Sequence, residues 1–575
     1  MKQKRYFMMA MFILINIYFL ISCTSVGEES QESTLSEEIG STEEIGSTEE
    51  LTMDVAISKP ITPVMALVAT PMMVKSTNSS PVVYNSTIGM NTEEYDRIND
   101  NTFKSVTENP VSTFSIDVDT ASYTNVRRYL MQSEELPPVD AVRIEEFLQY
   151  FSYDYAQPEG ENSVGFQLDM EPAPWELKHQ LLRVAIQAKE ISTEDLPASN
   201  LVFLVDTSGS MYADNKLPLL QKSMNVLVDQ LRPKDTISIV AYAGSAGVIL
   251  ESTPGTDKTT IIRAFTNLKA GGSTAGGAGI ELAYKIAANN YIEGGNNRVI
   301  LCTDGDFNVG ISSTGALERL IEEKRENNIY LTILGFGMGN YKDSRMESLS
   351  NIGNGNYAYI DNLLEGKKVL GKEIWGNLFA VAKDVKVQIE FNPKKVSSYR
   401  LIGYENRLLD REDFNDDTKD AGEMGSGQSV TAFYELVLAD SDDNKVESQS
   451  DALVFQESTI IPSEDILSFK LRYKKPVDGN EESQLLSAMM DETELCNNQG
   501  DTDSDFTFAS AIVEFGMLLR DSSYKGESSW EHVISQAKAS KGADENGYRS
   551  EFIKMVEIAE ILDSLSTKGS EQILY

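Results

Sequence analysis

Histidine occurs only twice in this 575-residue chain (His179 and His532), and cysteine only three times (Cys23, Cys302 and Cys496). So few of either exclude a disulfide framework and a structural zinc site. Cys302 lies within the apolar run RVILCTDGD, where a buried, inert thiol is expected. No histidine lies between 179 and 532, so that long stretch lacks the commonest general base. Positive charge is scarce as well. Lysine and arginine number 50 against 89 aspartates and glutamates, for a net charge of −39. That balance excludes nucleic acid as a partner, because phosphate binding needs a basic footprint. It also excludes adsorption to anionic lipid through a charged face.

What is present divides the chain sharply. The first residues, MKQKRYFMMAMFILINIYFLISC, place Lys2, Lys4 and Arg5 ahead of an apolar stretch from Tyr6 to Ile21. This is the charged and then apolar layout of a secretory signal. The stretch is short for a membrane span of about 20 residues, and Asn16 interrupts it. It ends in Leu20-Ile21-Ser22-Cys23, which resembles the lipobox of bacterial lipoproteins. The resemblance implies removal of residues 1–22 and a diacylated Cys23, hence an exported lipoprotein held on the outer membrane or cell surface by lipid. An uncleaved anchor is the alternative, and it too tethers the chain to a membrane.

Behind Cys23, residues 24–54 hold ten acidic residues and no basic one, with the hexamer Glu-Glu-Ile-Gly-Ser-Thr repeated. Such a segment buries too little apolar surface to offset chain entropy, so residues 23–90 are expected to form an extended, disordered tether.

From about Asn200 to Ala382 the pattern changes. Apolar runs at LVFLVD, TISIVAYAG, NRVILCTDG, IYLTILGFG and NYAYI alternate with helical segments. The runs are nearly continuous, as in parallel strands buried on both faces. Leu217, Leu220, Met224, Leu227 and Leu231 keep helical spacing, and further helices fit 278–290 and 315–327. The expected fold is α/β, a doubly wound, mostly parallel sheet.

In such sheets ligands collect at the carboxyl ends of the strands. There the sequence places Asp206 and Asp304, the serines Ser208 and Ser210, and Thr274 in the glycine-rich loop KAGGSTAGGAGIELAY. Ser273 is the alternative third hydroxyl. All are hard oxygen donors, which suits Mg²⁺, Mn²⁺ or Ca²⁺. DGDFNVG imitates the start of an EF-hand loop, but Val309 and Gly315 stand where glycine and glutamate are required, so that reading fails. Asp306 is left a place at the rim.

DTSGS, with Thr274 and Asp304 in the later loops, resembles the metal-ion-dependent adhesion site of the von Willebrand factor type A domain. The resemblance implies a metal held by Asp206, Ser208, Ser210, Thr274 and Asp304, with one position open to an acidic residue of a protein partner. Neutral hydroxyls leave the cation's charge poorly satisfied, so it still attracts an incoming carboxylate.

The flanks resemble those of a subgroup of bacterial proteins with this domain, a small N-terminal region and an uncharacterised C-terminal one. In residues 110–155, Ile144, Phe147, Leu148 and Phe151 form an apolar helical face expected in the core, and Asp117 and Asp119 are expected to cap a helix near Ser122. Alternating strands at VKVQIEFNPKKVSSYRLIGYENRLL, AGEMGSGQSVTAFYELVLA and ILSFKLRYKKP, with a helix over 506–522, follow the central region. Strand-like segments also precede it, so a β-rich accessory unit built from both flanks is expected. The domains are then 1–22 signal, 23–90 tether, 91–198 N-terminal accessory, 199–382 von Willebrand A, and 383–575 C-terminal accessory with terminal helices.

The function expected is a non-enzymatic, membrane-anchored binding module that grips an acidic residue of a protein partner, with no small-molecule substrate. An envelope assembly or stress factor acting within a larger complex is the alternative. A metal-dependent hydrolase fits least, because the metal loops offer neither a general base nor carboxylates for a second metal.

Overall fold

The structure, a computed structural model, describes residues 93–272, 276–305, 314–339, 341–441, 461–476, 482–491 and 503–573. Cys23, the acidic tether, Ser273, Thr274 and Asp306 lie outside these described residues.

Strands β1 (Lys104–Ser105), β2 (Val111–Ser115), β3 (Val164–Ala173) and β4 (Glu176–Ala188) precede the central region. The central region supplies β5 (Ser199–Asp206), β6 (Thr236–Tyr242), β7 (Ala246–Pro254), β8 (Asn296–Thr303), β9 (Ile329–Phe336) and β10 (Tyr357–Ile360). Beyond it run β11 (Ala380–Phe391), β12 (Val396–Ile402), β13 (Gly422–Gly425), β14 (Ser429–Leu438), β15 (Asp465–Lys474) and β16 (Gln484–Asp491).

The central sheet has the order β10-β9-β8-β5-β6-β7, parallel throughout except for β7. Its strands read as unbroken apolar runs because both faces are covered. Leu201, Phe203 and Val205 of β5 pack against Leu220 and Met224 of the helix Leu217–Gln230 and Phe265 of the helix Lys258–Thr266. Val202 and Leu204 point the other way, into Ile280, Tyr284, Leu317 and Met346 on helices of the opposite layer. That alternation is the period of two that a strand imposes. The edge strand β7 was not expected from the sequence. Most of its side chains are partly or fully exposed, so no burial pattern marks it.

Strands from both flanks share two antiparallel sheets. One has the order β1-β12-β14-β4-β3; the other is β13-β11-β15-β16, with β2 also paired to β11. Residues 199–379 leave after β4 and the chain returns at β11, so the central region is inserted between two flanks that pair across it, β4 with β14 and β2 with β11. The faces meet in one apolar core that includes Phe114, Val184, Ile389, Tyr434 and Phe469. A helical layer packs beside it, with Ile144, Phe147, Leu148 and Phe151 buried among Phe508, Ile512, Phe515 and Phe552.

Asp117 and Asp119 do not cap the helix Ala121–Arg128. The Ser122 amide donates instead to Oε2 of Glu146 at 2.7 Å. Oδ1 of Asp119 accepts from the amide of Tyr357 at 2.8 Å, which ties the N-terminal segment to β10. The carboxylate of Asp119 is drawn into a long-range contact, 238 positions away in sequence, that local spacing does not reveal.

Candidate metal centre

β5 delivers Asp206 to the carboxyl end of the sheet, fully buried. Its Oδ1 accepts from the Ser208 amide at 2.8 Å, closing a tight turn, and its Oδ2 accepts from the Tyr242 hydroxyl at 3.1 Å. The Thr303 hydroxyl lies 3.5 Å from the same oxygen. These partners are neutral. Burial therefore pushes the Asp206 carboxyl up to about 6, against the lowering by Ser208, and neighbouring Asp304 adds to the rise.

The turn that follows holds the two serine hydroxyls 2.9 Å apart, Ser208 buried and Ser210 exposed. The glycine-rich loop is stitched onto this turn. The Gly271 amide donates to the Thr207 carbonyl at 2.8 Å, and the Gly209 amide donates to the Gly272 carbonyl at 3.1 Å. Thr274 follows two positions later, outside the described residues.

β8 ends at Thr303, so Asp304 emerges beside Asp206, also fully buried. Gly305 then turns at φ +96°, where a Cβ would lie 2.7 Å from the Lys342 amide nitrogen. Only glycine takes both that conformation and that space. Oδ2 of Asp304 accepts from the Lys216 ammonium at 2.8 Å, and the lysine stem lies against Gly337. Sequence reasoning missed Lys216. It stands ahead of the helix Leu217–Gln230 in DNKLPLL, 88 positions from Asp304, and nothing local distinguishes it from a solvated surface lysine.

The structure thus brings together Asp206, Ser208, Ser210 and Asp304 from the ends of two adjacent strands. Two carboxylates and two hydroxyls, without nitrogen or sulfur, are the donors a hard divalent cation takes. A buried carboxylate with neutral partners, lifted in pKa, is an arrangement that a cation would relieve.

Known proteins give the class. Residues 200–368 match the von Willebrand factor type A domain, residues 89–183 the family described as von Willebrand factor, and residues 376–562 that described as uncharacterized protein YfbK, C-terminal. The fold is that of a von Willebrand factor type A domain protein with a flanking β-rich region. The Uncharacterized protein YfbK of Escherichia coli (strain K12) is 43% identical over 486 residues, covering 83% of this chain and 82% of that protein. The chain belongs to the YfbK family. The human inter-alpha-trypsin inhibitor heavy chain H4 is 26% identical over 147 residues, 24% of this chain and 16% of its own length. A solved von Willebrand factor type A structure from Catenulispora acidiphila is 16% identical at a TM-score of 0.39, covering 68% of this chain and 89% of that one.

Proposed function

We propose that the protein is an exported, lipid-anchored binding module that grips an acidic residue of a partner protein through a divalent cation, Mg²⁺ or Mn²⁺ before Ca²⁺. One observation carries the reading. Asp206, the Ser208–Ser210 hydroxyl pair and Asp304 converge at the carboxyl ends of β5 and β8. Asp206, Ser208, Ser210 and Asp304 would hold the cation, with Thr274 as a fifth donor from the loop joined to their turn. The bound cation supplies positive charge at an otherwise acidic surface, which attracts a carboxylate. Asp206 and Asp304 fix the position from below, and the exposed Ser210 leaves the upper side accessible to a partner.

Binding rather than catalysis is supported by the two histidines, each spent on a carboxylate elsewhere. Nδ1 of His179 lies 2.6 Å from Glu435, and Nδ1 of His532 lies 2.9 Å from Glu514. Anchoring rests on the lipobox-like Leu-Ile-Ser-Cys23, and the acidic tether would hold the folded part away from the membrane.

The test is capture of membrane proteins by the full chain in Mg²⁺ and in chelator, beside the Ser208→Ala/Ser210→Ala variant. The reading expects capture in Mg²⁺ only, lost in the variant while its thermal melting stays close to wild type. A folded, metal-free variant that captures the same partner at full strength would overturn it.

A further inference from the structure

Lys216 reaches the cation site from outside the strands that build it. Its ammonium donates to Oδ2 of Asp304 at 2.8 Å, with the lysine side chain 8% exposed and the carboxylate fully buried. Two features of the backbone aim it there. The Lys216 amide donates to the Ala213 carbonyl at 2.9 Å, and its own carbonyl accepts from the Leu220 amide at 2.9 Å. The residue is thus fixed where the turn of Ser208 and Ser210 passes into the helix Leu217–Gln230. Gly337, just past β9, then clears a path for the stem. It sits at φ +81°, and a Cβ there would overlap Cγ, Cδ and Cε of Lys216. Glycine alone takes that conformation and leaves room for the lysine.

The position of this ammonium decides the charge of the site. Carboxylate ligands bind a cation deprotonated, so Asp206 and Asp304 bring two negative charges, and the serine hydroxyls bring none. A divalent ion on two carboxylates alone would be electrically satisfied. A partner's carboxylate would then add a negative charge with nothing to balance it. Lys216 shifts that balance by one unit. It cancels half of the negative charge that draws the ion, so the metal by itself is held less tightly. Once the ion is bound, one net positive charge remains, and an incoming carboxylate neutralises it. Asp206, Ser208, Lys216 and Asp304 are all buried, where charges are screened much less than at the surface.

We propose that Lys216 is a built-in cation that couples two binding events, so that the site holds its metal weakly alone and firmly only together with a carboxylate. The inference rests on the reading of Asp206, Ser208, Ser210 and Asp304 as a cation site. It gives the lysine a role in specificity, favouring partners that bring an acidic group over neutral ones. Coupling is reciprocal. The factor by which a carboxylate tightens the metal is the factor by which the metal tightens the carboxylate.

The test is Mn²⁺ titration calorimetry of the full chain with acetate as the carboxylate probe, and with chloride at equal ionic strength as the control. In wild type, acetate should tighten Mn²⁺ binding about fivefold or more, the low end of a typical coupling. Lys216→Met keeps the stem and removes the charge. It should bind Mn²⁺ at least about tenfold more tightly in chloride, and acetate should then add little. Lys216→Gln, which keeps a donor for Asp304 without the charge, serves as the second variant if Lys216→Met fails to fold in chelator. A lysine that merely braces the fold predicts the opposite sign, weaker Mn²⁺ binding in both variants. Mn²⁺ affinity unchanged or weakened in the folded variants overturns the role of Lys216 while leaving the cation site in place. So does an acetate effect that is absent from wild type or equal in wild type and variants. Mn²⁺ binding that Asp206→Ala leaves intact overturns the site itself, and this inference with it.

Discussion

The ammonium of Lys216 lies 2.8 Å from Oδ2 of Asp304, and both side chains are almost wholly out of solvent. The pair satisfies one of the two carboxylates at the proposed cation site with a charge the chain itself supplies. A divalent ion drawn to Asp304 must share it with, or displace, this ammonium.

Lys216→Met should therefore tighten Mn²⁺ binding while weakening the metal-free fold. Loss of the buried pair removes a charge partner of Asp304, which costs on the order of 3–5 kcal/mol when no ion is present. Melting in chelator should fall, and added Mn²⁺ should restore more of it than in wild type. A variant with unchanged melting and unchanged affinity would show that the pair does not bear on the site.

The central sheet was legible because its strands are covered on both faces. LVFLVD, TISIVAYAG and NRVILCTDG read as strands buried on both faces, and Asp206 and Asp304 close two of them. Helices were equally plain, as at Leu217–Gln230, where one apolar face keeps its spacing. What escaped was whatever depends on distant partners. Lys216 becomes part of the site only when β8 carries Asp304 to it. Asp117 and Asp119 read as local caps because their contacts, Arg407 and the Tyr357 amide, come from remote segments. The edge strand β7 lacks a burial pattern for the same reason that it lies at an edge.

Arg127 joins three parts of the chain. Its guanidinium lies 2.5 Å from Asp361, 2.8 Å from Glu365 and 2.8 Å from Glu551, so it links the N-terminal helix to the central domain and to the C-terminal helix. Arg127→Met leaves Asp361 and Glu365 buried without this partner. Urea unfolding should show a loss of about 3–5 kcal/mol. A loss under about 1 kcal/mol would mean that the charges are relieved in some other way.

Glu145 is fully buried, and burial, followed by Glu405 and Asp117, pushes its carboxyl up to about 8 from an ordinary 4.5. The folded chain therefore holds a proton that the unfolded chain releases near 4.5. Its contribution to stability is complete below that pH and falls as pH rises through about 8. Glu145→Gln, which needs no proton, should melt above wild type beyond about pH 8 and much like it near pH 4. Parallel melting curves at every pH would show that Glu145 is not protonated in the fold.

The anchor is tested by Cys23→Ser. Acyl chains on Cys23 would supply the membrane attachment, so the variant should leave the membrane fraction or remain unprocessed. A variant that is processed and still membrane-bound would set aside the lipoprotein reading.

The central claim is a cation held at the ends of β5 and β8, and Mn²⁺ titration of the full chain beside Asp206→Ala tests it most directly. Asp206 offers the buried carboxylate with neutral partners, so its removal should abolish one Mn²⁺ site. The account predicts this loss without a loss of fold, read by melting in chelator. Mn²⁺ binding of the same affinity and stoichiometry in Asp206→Ala would contradict it.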